Sequence, residues 1–185
     1  MDQSHNNIKM KDYFKPSRTF KIITGILILV GIASFIAGFI NEPQRAWANY
    51  LLNNYYFFSL SMGGIFFFVI QYISQSGWSA GFKRVPEAMM SWLPFAAVFF
   101  LLLYFGIYEL YHWSHADAVA HDPLLQHKTP YLNKTFFYLR IVIYFSSWIL
   151  LTVILRRYSI KEDEKGGKTY FYKSGFYSRV LIFIL

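Results

Sequence analysis

The sequence predicts an all-α fold, a polytopic transmembrane helix bundle, and three observations carry that prediction. Charged residues make up only 15% of the 185 residues, against 55% hydrophobic and 22% aromatic, whereas about a quarter of a soluble domain is charged. The apolar residues are gathered into uncharged blocks long enough to cross a bilayer, and Lys and Arg concentrate in alternate segments between them. The composition also excludes collagen-like, disordered and disulfide-scaffold classes. With no cysteine, the chain has no thiol nucleophile and no thiolate for an iron–sulfur cluster or a covalently attached c-type haem.

Residues 1–21 read as a basic tail. Residues 22–40 form nineteen uncharged positions, about 28 Å of helix at 1.5 Å per residue and close to the thickness of a bilayer core. The run is too long for a signal-peptide core, and Asn41-Glu42-Pro43-Gln44-Arg45 after it is no small-residue cleavage site. Further spans are expected at 55–73, 88–108 and 135–155, the last interrupted only by Arg140. A loop at 109–134 joins the third and fourth. Residues 156–179 read as a basic loop, and the apolar positions 180–185 as the start of a fifth helix.

Fourteen Lys and Arg precede the first span, lie between the second and third, or follow the fourth; only four occupy the opposite side. Basic loops resist translocation, so the N-terminus is expected in the cytoplasm and the loop 109–134 outside. The net charge of +8 therefore marks a membrane face and excludes a nucleic-acid partner. The seven-charge segment 156–179 suits anionic lipid headgroups. Helices in lipid associate through small residues, which offers Gly31, Ser34 and Gly38 in the first span and Ser59 with Gly63, beside Ser61 and Gly64, in the second. Phe66-Phe67-Phe68 covers too wide an arc for one binding face and is better explained by lipid contact and core packing.

The chemistry-bearing residues cluster after the third span, where Glu109, His112, His115, Asp117, His121 and Asp122 fall within fourteen residues. If the helix continues, Glu109 and His112 share a face, as do His112 and His115. Haem b ligation calls for histidines inside the spans, and there are none. A di-iron bundle calls for a second Glu-x-x-His and further glutamates. A zinc or copper site lacks compact ligand spacing. An imidazole beside a carboxylate also suits proton or quinone chemistry at a membrane surface; a solvated loop or partner-docking segment is the plainer alternative. Arg140, costing about 2.5 to 3.5 kcal/mol if left alone at mid-membrane, is expected to pair with Glu109 or, failing that, Asp117. Glu87 follows Pro86 at the inner start of the third span, where helix capping accounts for it. It is also the best acid for a cytoplasmic proton entry, with Gln71 and Tyr72 at the same level.

In Tyr108 to Ala116 (YELYHWSHA), Trp47 to Phe57 (WANYLLNNYYF) and Pro86 to Pro94 (PEAMMSWLP), the chain resembles the ActF family. These are NrfD-like, or polysulfide-reductase membrane-subunit-like, integral subunits of bacterial alternative complex III, a quinol:electron-acceptor oxidoreductase. The resemblance implies a ten-helix fold with two four-helix bundles, of which this chain corresponds to the N-terminal half, in the bacterial inner membrane. It implies a second NrfD-like subunit, an iron–sulfur subunit, multihaem and monohaem cytochrome c subunits and small membrane subunits as partners. Haem c and iron–sulfur clusters then belong to the partners, and this chain contributes architecture and proton translocation without a cofactor or metal of its own; whether it touches quinone stays open. No catalytic residue is carried across. A secondary transporter or proton channel is the alternative, and it calls for a polar midplane site and repeat symmetry that the sequence does not display.

Overall fold

The computed structural model describes residues 16–166 and 168–185. Among them every regular element is helical, and four helices are long and apolar enough to cross a membrane. Of the tail expected over 1–21, residues 1–15 lie outside the described residues, and Arg18 to Lys21 already belong to the first helix.

Helix α1 (Arg18–Asn41) is a unit by itself. Ser17 Oγ accepts from the Phe20 amide at 3.2 Å and caps the start. Apolar residues occupy its whole circumference, as suits a helix long and apolar enough to cross a membrane.

The second unit is 43–185. Helix α2 (Pro43–Ile73) begins twelve residues before its apolar run, with Pro43 at the first helical position, where no amide donor is needed. The third span is segmented. It comprises α3 (Arg84–Met90), α4 (Leu93–Leu102), a 3₁₀ turn over Leu103–Gly106 and α5 (Ile107–Leu110). Pro94 has no amide proton for the Met90 carbonyl, so the ladder breaks there; Ser91 and Trp92 instead bond three residues back, to Ala88 and Met89. The loop 109–134 contains α6 (Ala116–His121) and α7 (Pro123–Lys128).

Helix α8 (Lys134–Lys165) starts on an Asn133 side chain that accepts from the Phe136 amide at 2.8 Å. It continues ten residues past the expected end of the span. Gly166, at φ +63°, then takes the left-handed conformation that turns the chain into α9 (Lys168–Ile184). The segment 156–179, expected as a basic loop, is therefore almost wholly helical, and the fifth helix begins at Lys168 rather than near 180.

The core joins Ile65, Phe68, Val69 and Tyr72 of α2 to Leu93 and Ala96 of α4, Phe145, Leu151 and Leu155 of α8, and Leu181 of α9. On α2 the packed face is Ser61, Gly64, Ile65, Phe68, Val69 and Tyr72. Ser59 and Gly63 are exposed, so that half of the expected small-residue contact is not used. A Cβ on Gly64 would stand 2.7 Å from Met89 Cβ, which shows how closely α3 approaches α2. Phe66 and Phe67 face outward while Phe68 is buried, splitting the aromatic run as its arc requires.

Candidate functional site

Tyr72 closes α2, Glu87 lies in α3, and Ser159, Glu162 and Asp163 lie in the extension of α8. All five fall at one end of the bundle, called the inner end after the orientation expected from the charge count. Glu87 is 4% exposed and Ser159 fully buried. A carboxylate at that depth needs compensation, and it has two partners: the Arg84 guanidinium donates through Nη1 to one oxygen, and the Ser159 hydroxyl donates to the other. Arg84 also reaches Asp163 through Nη2, and Asp163 takes a second cation, Lys83, on its other oxygen. The Tyr72 hydroxyl donates to Glu162 Oε2 at 2.7 Å. The Ser159 hydroxyl, whose one proton goes to Glu87, stands near the Tyr72 phenol.

The result is a polar cluster of two hydrogen-bonded pairs, Tyr72 with Glu162 and Ser159 with Glu87, with Arg84, Asp163 and Lys83 closing its surface side. Three acids face two bases. Hydroxyls both donate and accept, so the two neighbouring pairs have the residue types of a proton relay beside a buried carboxylate. Two cavities flank the cluster. One, about 100 Å³, is bounded by Glu87, Ser91, Thr152 and Arg156; the other, about 90 Å³, by Gln71, Tyr72, Ser79 and Lys83. Roughly 10 to 15 Å³ admits one water, so each has room for several. Gln71 is not part of the cluster; it accepts from Ser76 and closes the turn after α2.

The outer loop is assembled differently. Helix α5 ends at Leu110, and Tyr111 is extended at φ −124°, ψ 116°. Glu109 and His112 therefore do not share a helical face, contrary to the expected continuation. The His112 and His115 rings are 5.9 Å apart. His115 Nε2 bonds the Tyr108 carbonyl at 2.8 Å, and His121 Nδ1 bonds that of Asp117 at 2.7 Å, so both rings serve their own loop. Glu109, His112 and Asp117 are exposed. Among the described residues no three of His, Asp and Glu converge to hold a metal ion. Burial pushes the Tyr111 phenol above the usual range of its group.

Arg140 pairs with neither expected acid. Its Nη2 donates to the Tyr131 carbonyl at 3.3 Å, and its guanidinium carbon lies 3.7 Å from the Tyr131 ring centre and 4.7 Å from that of Phe136. The chain stays beside the fourth span after α5, with the Tyr111 and Trp113 rings each 5.7 Å from that of Phe137. Glu109 and Asp117 are exposed, however, while Tyr131, three residues before α8, lies within reach. Arg140 is satisfied by a carbonyl and two aromatic faces instead of a carboxylate.

No family model matches the chain, and a search of curated proteins finds no match.

Of the six sequence candidates, the structure places Glu87 alone in a connected buried site. Ser159, Glu162 and Asp163 were not singled out because the apolar run of α8 ends at Leu155, which makes the following residues read as loop, and Arg84 because it counted only as one of the basic residues between the second and third spans. A helical signal was present. Ser159, Glu162 and Asp163 recur at spacings of three and four from Leu155 and Arg156, which places them on continuing turns of one helix.

Proposed function

We propose that this chain is an integral membrane subunit of a respiratory quinol:electron-acceptor (cytochrome c) oxidoreductase of the alternative complex III type. It carries no redox centre and admits protons from the cytoplasmic side. The observation that carries the reading is Glu87, a buried carboxylate bonded by Ser159, beside the Tyr72–Glu162 pair at the bundle end and next to a cavity large enough for water. A capping carboxylate needs neither this burial nor these neighbouring hydroxyls. The resemblance in 47–57, 86–94 and 108–116 supports the assembly, and the second of these stretches contains Glu87 itself. The absence of cysteine and of histidine within the spans supports placing haem c and iron–sulfur clusters in partner subunits. The proposed location is the bacterial inner membrane, with the N-terminus cytoplasmic.

The test is purification of the native assembly through this chain in mild detergent, followed by haem spectra, iron analysis and mass spectrometry of the accompanying chains. The expected result is c-type haem, an iron–sulfur protein, a second NrfD-like subunit and quinol oxidation in one particle. Recovery of a particle without redox centres would overturn the reading and favour the transporter or channel class.

A further inference from the structure

The outer half of the bundle holds a cavity of about 760 Å³ between α2, the third span and α8, within the roughly 300 to 1,000 Å³ of small-molecule sites. Its wall is aliphatic and aromatic, including Leu51, Phe58, Phe145 and Trp148, and Arg140 is its one charged residue among the described residues. Trp148 lies eight residues inward of Arg140, about 12 Å along α8. The cavity is therefore elongated along the membrane normal, with its cation toward the outer end.

Arg140 has unused capacity. One Nη2 hydrogen bond goes to Tyr131, and Nη1 is covered by protein atoms without any acceptor, so a ligand in the cavity meets the guanidinium on its Nε and Nη2 side. Aromatic faces supply attraction but no counter-charge, and no carboxylate reaches the guanidinium. A cation fixed in an apolar wall favours an anionic ligand, and the guanidinium fork matches phosphate geometry. Tyr55, Tyr131 and Tyr144 share the wall, in keeping with aromatic residues at headgroup level.

We infer that this cavity binds an anionic phospholipid, with an acyl chain along α8 between Arg140 and Trp148 and the phosphate on the Arg140 guanidinium. A free phosphate would leave the apolar volume empty. A neutral isoprenoid ligand would fill it and leave the cation unbalanced. The inference is independent of the proton reading, because it concerns the opposite end of the bundle and needs no turnover.

The experiment reconstitutes the purified native assembly into nanodiscs with equal phosphatidylglycerol and phosphatidylcholine, washes it in mild detergent and quantifies the lipid retained. The expected result is about tenfold preferential retention of phosphatidylglycerol, from charge-assisted hydrogen bonding. That preference should be lost in Arg140→Gln and partly kept in Arg140→Lys, and Ile141→Trp, which fills the cavity, should lower retention of both lipids. Equal retention by the unmodified assembly would overturn the inference without any variant. So would a preference that survives Arg140→Gln, or a cavity filled by a neutral quinone or a protein segment with no phospholipid retained. Inorganic phosphate that raises thermal stability as much as phosphatidylglycerol does would reduce the site to an anion contact and also overturn it.

Discussion

At the inner end, charges from α3 and the end of α8 meet across helices and share partners, with Asp163 taking both Lys83 and Arg84. At the outer end, Glu109, His112, His115 and Asp117 sit on three short elements, and the histidine ring nitrogens with bonds use carbonyls of their own loop. Both regions contain the residue types that proton chemistry needs. The difference lies in what carries them. A helix that outlasts its apolar run holds its polar residues in register with a neighbouring helix, whereas a span that breaks at its boundary disperses them.

The inner end should accordingly respond to mutation much more strongly than the outer loop. Arg84→Ala leaves Glu87 buried without its cation. Breaking a buried pair costs about 3 to 5 kcal/mol, and the half-exposure of Arg84 places the expected loss near the lower figure; thermal unfolding in detergent measures it. Ser159→Ala removes the other donor to Glu87 and should cost about 2 kcal/mol in the same assay. The outer half is held by packing, and Gly106→Ala tests that directly. A Cβ there would collide with the Trp47 ring, for an expected loss of about 1 to 3 kcal/mol from overpacking. Glu109→Gln and His112→Ala, exposed and without a cross-helix partner, should each stay within about 0.5 kcal/mol. A large loss in either would show that the outer loop is an organised site and would break the contrast.

The helical bundle was legible because three uncharged runs, and a fourth interrupted only by Arg140, match the thickness of a bilayer, a constraint that acts on composition and needs no contact information. Glu87 was legible from its place beside Pro86. Its partners were not, because hydropathy ends α8 at Leu155 while the ladder continues to Gly166, the first residue free to turn the chain. The Arg140 expectation failed because hydropathy brings Glu109 and Arg140 to the same end of the bundle without saying which way Glu109 faces, and Glu109 is exposed. The end of α5 at Leu110 was equally hidden, since no residue between Tyr108 and Ser114 is glycine or proline to signal a break. Similarly, Ser174 and Ser178 are buried in α9, where small residues permit close packing, yet they fall in a stretch whose charges suggest a loop.

Proton movement in sealed vesicles bearing the native assembly, with Glu87→Gln set against His115→Ala, tests the central claim most directly. Removing the buried carboxylate should lower the rate of proton uptake by about a hundredfold, the lower end of what a positioned acid–base group contributes, while uncoupled quinol oxidation persists and His115→Ala behaves as the unmodified assembly. Undiminished proton uptake in Glu87→Gln, or a loss confined to His115→Ala, would contradict the account and move the functional site to the outer loop.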